Sequence, residues 1–152
     1  MMNNYDLYYD YQNNRAIFNN MADLNKINQT SQTANKDLVE PYTAFIRGNL
    51  FNKLYDQYKN YKPAELNPTN EQEQMLLLVQ MYTFCAHELT LYLDNYPNDS
   101  NAIKLREEYM TAARNATNQY EAKYGPLNLS SNTLGVTPWA WDTKKWPWEG
   151  SY

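Results

Sequence analysis

The stretch TNEQEQMLLLVQMYTFCAHELTLYLDN, residues 69–95, decides the fold. Met75, Leu78, Tyr82, Cys85, Leu89 and Tyr92 recur every three or four positions and continue to Tyr96, while Leu77, Met81, Phe84 and Leu91 form a second stripe beside them. That period is helical, and two adjacent apolar stripes give a helix covered on more than one side. Thr69 and Gln72 have capping-box spacing just after Pro68, and Glu71 and Glu73 favour the positive end of the helix. The helix is expected over about 69–95, at the centre of the molecule. Asn95-Tyr96-Pro97-Asn98-Asp99 then supplies a turn and a capping Asp or Asn, and a second helix is expected over about 99–124, stopping at Gly125-Pro126. Its inward positions, Ala102, Leu105, Tyr109, Ala112, Ala116 and Tyr120, are mostly small, so an antiparallel neighbour can approach closely. The pair reads as an αα-hairpin.

Upstream, residues 37–46 and 49 to about 61 read as two shorter helical pieces hinged at Gly48, the second with an apolar face of Leu50, Phe51, Leu54, Tyr55 and Tyr58 and ended by Pro63. Residues 28–35, rich in Thr, Gln and Ser, read as a linker. Before them lies a weaker helical pattern, Ile17, Met21 and Leu24, amid low-complexity Asn and Tyr. Two helices alone seldom bury enough area, so the upstream pieces are expected to complete a small all-α bundle. Oligomerisation, homo- or hetero-, is expected to supply what core is still missing. The organisation expected is a Tyr/Asn-rich segment over 1–35, a helical segment over 36–62, the hairpin over 69–125, and an extended Trp/Pro tail over 126–152.

That tail holds all four tryptophans, in Pro138-Trp139-Ala140-Trp141 and Trp146-Pro147-Trp148-Glu149. Trp has a large apolar surface and one N–H donor, and Pro147 pushes Trp146 towards extended geometry, so the rings sit on a stiffened segment suited to being held by a partner. The opposing reading has the tail fold back to cap its own helices. Fifteen Tyr and only four Gly argue against a turn-rich β fold and for a surface that adheres through aromatic and amide contacts. The candidate partner-binding residues are Trp139, Trp141, Trp146, Pro147, Trp148, Tyr92 and Tyr96.

Charge and composition exclude several functions. A net charge of -4 offers no basic stripe for phosphates, so neither nucleic acid nor an anionic membrane is an expected partner. Met1-Met2-Asn3-Asn4-Tyr5-Asp6 opens polar, so no signal peptide is expected and synthesis is placed in the cytoplasm. His87 is the only histidine and Cys85 the only cysteine. Two apart on a helix, they point about 200° from each other, which removes a local nucleophile and base pair. Phe84 stands where a Glu-x-x-His metal motif needs glutamate, and no glycine-rich phosphate loop is present. Glu88, Glu107, Glu108 and Glu121 read as solvated helix faces. No enzyme activity, cofactor or metal site is expected.

The run Glu88-Leu89-Thr90-Leu91-Tyr92-Leu93-Asp94-Asn95-Tyr96-Pro97-Asn98-Asp99, then Ala102, then Tyr120-Glu121-Ala122-Lys123-Tyr124-Gly125-Pro126-Leu127 resembles the spore coat protein JB (CotJB) family, as does the ending Trp146-Pro147-Trp148-Glu149. The likeness spans residues from about 75 to 150. It departs at Ala86-His87, where the family tends to carry a Val-Asp-like pair, so no role of that acidic position transfers. More loosely, Phe45-Ile46-Arg47-Gly48-Asn49-Leu50-Phe51 and Leu54-Tyr55, within about Pro41 to Tyr58, are similar to spore coat protein JA, with Asn52 and Gln57 or Tyr58 where that family usually has prolines. The resemblance implies a structural, non-catalytic component of the bacterial endospore coat. It further implies synthesis in the mother cell and packing with other coat proteins, among them a manganese-catalase-like protein and a JA-like protein. Near such a peroxide-handling partner, exposed phenols such as Tyr5, Tyr8, Tyr9 and Tyr11 are expected to couple oxidatively. The competing class is a glycan-binding accessory protein of the spore envelope, its exposed Trp rings stacking on sugar faces.

Overall fold

The computed structural model describes residues 37–56 and 58–142. Among them are three helices, α1 (Pro41–Arg47), α2 (Glu71–Asn95) and α3 (Ser100–Tyr124), and no strand; backbone pairing outside the helices includes one antiparallel bridge, Leu38 to Phe51. The architecture is all-α, as the periodicity predicts. The weak helical pattern before residue 28, the linker over 28–35 and Tyr5, Tyr8, Tyr9 and Tyr11 lie outside the described residues, as do Trp146, Pro147 and Trp148.

α2 begins two residues later than Thr69, because the capping pair is Asn70 and Glu73 rather than Thr69 and Gln72. The Asn70 side chain accepts the Glu73 N–H at 2.9 Å, and the Glu73 carboxylate accepts from the Thr69 N–H at 2.6 Å and the Thr69 hydroxyl at 3.0 Å. Asn caps better than Thr, and a carboxylate closes the box more strongly than an amide. Gln72 is left to donate to the Tyr120 hydroxyl at 3.0 Å, tying the first turn of α2 to the last turns of α3. Lys123 pairs with Glu71 at the same end. At the other end Asp99 caps α3, one carboxylate oxygen accepting the N–H groups of Asn101 and Ala102, each at 3.0 Å. Both ends of the antiparallel pair are thereby fixed in register.

Between those ends the core is the predicted seam. Leu78, Met81, Tyr82, Cys85, Ala86 and Leu89 of α2 meet Ala102, Leu105, Tyr109, Ala112 and Ala113 of α3, with Ala116 packed at the margin. The alanines admit the bulk of the facing side chains. Leu89 and Leu105, both essentially buried, each stabilise the fold by roughly 1.5–3 kcal/mol. Tyr82 and Tyr109 stack inside, centroids 6.1 Å apart. By length and mean hydropathy alone α2 matches a bilayer span, but here its buried residues face α1 and α3, as in the central helix of a bundle.

The upstream region departs from expectation. α1 forms, with Pro41 in its first turn, and ends where Gly48 adopts a left-handed conformation (φ 75°). There the Gly48 N–H reaches the Phe45 carbonyl and the Asn49 N–H reaches that of Ala44, a Schellman closure that turns the chain away from the helix axis. The second piece expected over 49–61 is not helical in its described residues. Its first backbone groups are used elsewhere: the Leu50 carbonyl accepts from Val39 N–H at 3.1 Å, the Leu50 N–H donates to Glu88 Oε2 at 3.2 Å, and the Asn52 N–H donates to the Asp37 carbonyl at 2.6 Å. A strap results, pressed against the hairpin. Leu50 and Phe51 go inside, whereas Leu54 and Tyr58 stay in solvent, so the apolar face read from 3.6-residue spacing does not exist. Tyr55 instead lies under the Arg47 guanidinium, 4.5 Å from ring centroid to Cζ.

Candidate functional site

The site builds up from the turn of the hairpin. Tyr92, on the last turns of α2, is clasped between the Phe51 ring of the strap (centroids 4.9 Å apart, planes 23°) and the Tyr96 ring one helical turn on (4.6 Å, 28°). Positions four apart share a helix face, which brings Tyr92 and Tyr96 together; the Schellman turn at Gly48 delivers Phe51 from 41 residues away. The Tyr92 hydroxyl donates to Asp99 Oδ2 at 3.1 Å while the other oxygen of Asp99 caps α3. Burial, reinforced by the Asp99 carboxylate, raises the Tyr92 phenol above its ordinary value. The backbone N–H of Ala102, helped by the Tyr92 hydroxyl and Asn101, holds the Asp99 carboxyl below its usual 3.8. Asp99 is therefore a carboxylate at neutral pH, and Tyr92 a neutral donor to it.

The outer ring of the stack, Tyr96, is 57% exposed, and Leu91 and Ile103 nearby in sequence are exposed as well. Trp139 lies in a turn closed by the Asp142 N–H on its carbonyl at 3.0 Å and is 54% exposed, while Trp141 is half-buried. Tyr92 and Tyr96 are thus brought together, and among the described residues no ring contact joins Trp139 to their stack.

The root of the tail is fastened by a residue assigned wrongly from sequence. Glu121, read as a solvated face, is only 6% exposed; its carboxylate accepts the Leu127 N–H at 2.9 Å and the Ser131 hydroxyl at 2.6 Å. One signal points to it: an acidic residue in a helix's last turn opposes the macrodipole unless it has other employment. Glu88 is likewise half-buried and holds the strap through Leu50.

Cys85 is fully buried, and that burial, with Glu88 nearby, pushes its thiol up to about 12, while His87 on the same helix is exposed. The two do not meet. Among the described residues no group of three His, Cys, Asp or Glu side chains is placed to hold a metal ion.

These features define a class: a small all-α protein, a helical hairpin whose turn is roofed by stacked aromatic rings. The family model described as CotJB protein matches residues 73–149, just over half of the chain, and the chain belongs to that family. Membership marks it as a spore coat protein, in a family of coat components and not of known enzymes. No curated protein and no solved structure matches it.

Proposed function

We propose that the chain is an assembly component of the endospore coat that packs against other coat proteins through aromatic rings at its hairpin turn and on its tail. The observation that carries this reading is the exposure of Tyr96 and Trp139, large rings left in solvent, one on the C-cap of α2 and one in a hydrogen-bonded turn. Anchors of this kind dominate protein interfaces, and their prior placement lowers the entropy cost of docking. Tyr92 supports Tyr96 from beneath. Trp141, Trp146, Pro147 and Trp148 are further contact residues in this reading, on the strength of their place in the two Trp signatures.

The partners are a manganese-catalase-like protein and a JA-like protein, in a homo- or hetero-oligomer, after synthesis in the mother cell. The strap bearing the JA-like residues supports a further point: it lies on the hairpin as a partner segment would, with Leu50 buried and Phe51 on Tyr92. Joining such a segment to the hairpin in one chain raises its effective concentration.

Co-expression with a manganese-catalase-like protein tests the reading. A Tyr96→Ala, Trp139→Ala double variant is expected to keep its helical circular dichroism and lose most co-purification. Unchanged co-purification refutes the aromatic contact. Retention on purified peptidoglycan, abolished in the same variant, favours instead a glycan-binding accessory protein, for which the exposed Trp139 ring is the relevant feature.

A further inference from the structure

The ring stack also holds the parts of an oxidation site, whatever docks on it. A phenol gives up an electron more readily when its proton has an acceptor already in hydrogen-bond contact, because proton and electron then leave together and no cationic radical forms. Tyr92 has that acceptor in Asp99 Oδ2 at 3.1 Å, and a second phenol, Tyr96, is stacked on it at 4.6 Å. We propose that Tyr92 and Asp99 form an oxidisable phenol and carboxylate pair, with Tyr96 as the exposed ring at which the radical emerges and couples to a second copy of the chain.

The steps balance. A one-electron oxidant takes an electron from Tyr92 while its phenolic proton passes to Asp99 Oδ2. An electron then moves from Tyr96 to Tyr92, the proton returns from Asp99 to Tyr92, and Tyr96 releases its own proton to water. Two Tyr96 radicals on separate molecules form a bond between ring carbons ortho to oxygen. The ring hydrogens at that bond shift to the phenolic oxygens, so each dityrosine costs two electrons and two protons. The oxidant is of the class driven by peroxide or persulfate, which accepts two electrons per O–O bond broken. Coupling within the Tyr92 and Tyr96 pair is disfavoured, since an ortho-to-ortho bond joins rings edge to edge and these lie face to face, 28° apart.

Exposure alone makes a different forecast, because Tyr58 is 85% exposed against 57% for Tyr96. The full-length protein is photolysed briefly with ruthenium tris-bipyridyl and persulfate, and linked peptides are quantified by mass spectrometry. Peptides linked through Tyr96 are expected to exceed those through Tyr58 several-fold. Tyr92→Phe, which keeps the stack and removes the proton, and Asp99→Asn, which keeps a capping side chain and removes the base, are each expected to lower Tyr96 linkage several-fold and leave Tyr58 linkage unchanged. Circular dichroism checks the fold, and Tyr92→Phe decides if Asp99→Asn unfolds. Tyr58 linkage equal to or above that of Tyr96, or Tyr96 linkage unchanged in a folded variant, overturns the proposal.

Discussion

Leu50→Ala probes whether the strap belongs to the cooperative core. Leu50 is fully buried and packs in one cluster with Cys85, Leu89 and Leu105, although it lies on a segment with no helix of its own. Truncating a leucine at such a site costs about 2–5 kcal/mol, the spread reflecting how far the cavity collapses. The substitution leaves the backbone bonds to Val39 and Glu88 in place, so about 3 kcal/mol is the reasonable centre. For a folded unit of this size, about 4 °C of melting temperature goes with each kcal/mol, giving a fall of roughly 12 °C. In urea the midpoint should move by about 1–3 M at an ordinary denaturant slope. Leu54→Ala, four residues on and 68% exposed, is the control and should stay within about 0.5 kcal/mol of the parent. Melting followed by helical circular dichroism and by tyrosine fluorescence must coincide for these figures to be read as free energies. If Leu50→Ala melts with Leu54→Ala, the strap is not part of the core and the roof over the hairpin turn is only loosely laid.

Other consequences are independent of that one. Cys85, fully buried with its thiol at about 12, should resist iodoacetamide in the native protein and react freely in denaturant, so ready native labelling contradicts its place in the core and an intermolecular disulfide through it requires unfolding. Asp99→Ala should cost about 1 kcal/mol through loss of the α3 cap, measured by urea unfolding, whereas Asp99→Asn should cost less. Because the Asp99 and Glu73 carboxyls sit below their usual 3.8 and 4.5, the unfolded chain takes up protons first as pH falls. Their contribution is full above those usual values and lost as pH drops through the depressed ones, so acid unfolding of the parent should be steeper below pH 4 than that of the Asp99→Asn protein. Glu121→Ala strands the Leu127 N–H and the Ser131 hydroxyl, a loss of about 1–2 kcal/mol. Chymotrypsin should then cut at Leu127, Leu129 or Leu134 faster than in the parent, and an unchanged rate removes Glu121 as the fastening of the tail.

How far the molecule is legible in its residues varies along the chain. The hairpin is readable because Met75 to Leu89 and Ala102 to Tyr120 repeat at helical spacing, and because Asp99 and Gly125-Pro126 mark where that spacing must stop. The cap at Asn70 is misplaced by one residue only because Thr69 and Gln72 mimic the same motif. The strap is not readable by period: Leu50, Phe51, Leu54 and Tyr58 carry helical spacing, yet the Schellman turn at Gly48 and the acceptors offered by Asp37 and Glu88 draw the backbone into non-local bonds. Tertiary pairing overrides local pattern there. Of the candidate site, Tyr92 and Tyr96 are foreseeable as neighbours on one helix face, but Phe51 reaches them across a contact that no local spacing encodes. Trp139 stands exposed on its turn, whereas Trp141 is half-buried, so the two rings of one signature are placed differently.

Hydrogen exchange of the chain alone and in complex with a manganese-catalase-like protein bears most directly on the claim that this hairpin exists to present rings to coat partners. Slowed exchange is expected at residues 91–99 and 136–142, around Tyr96 and Trp139, with the middle of α2 and α3 unchanged because it is already protected. Protection confined to other surfaces, or none in a complex shown to be formed, contradicts the account.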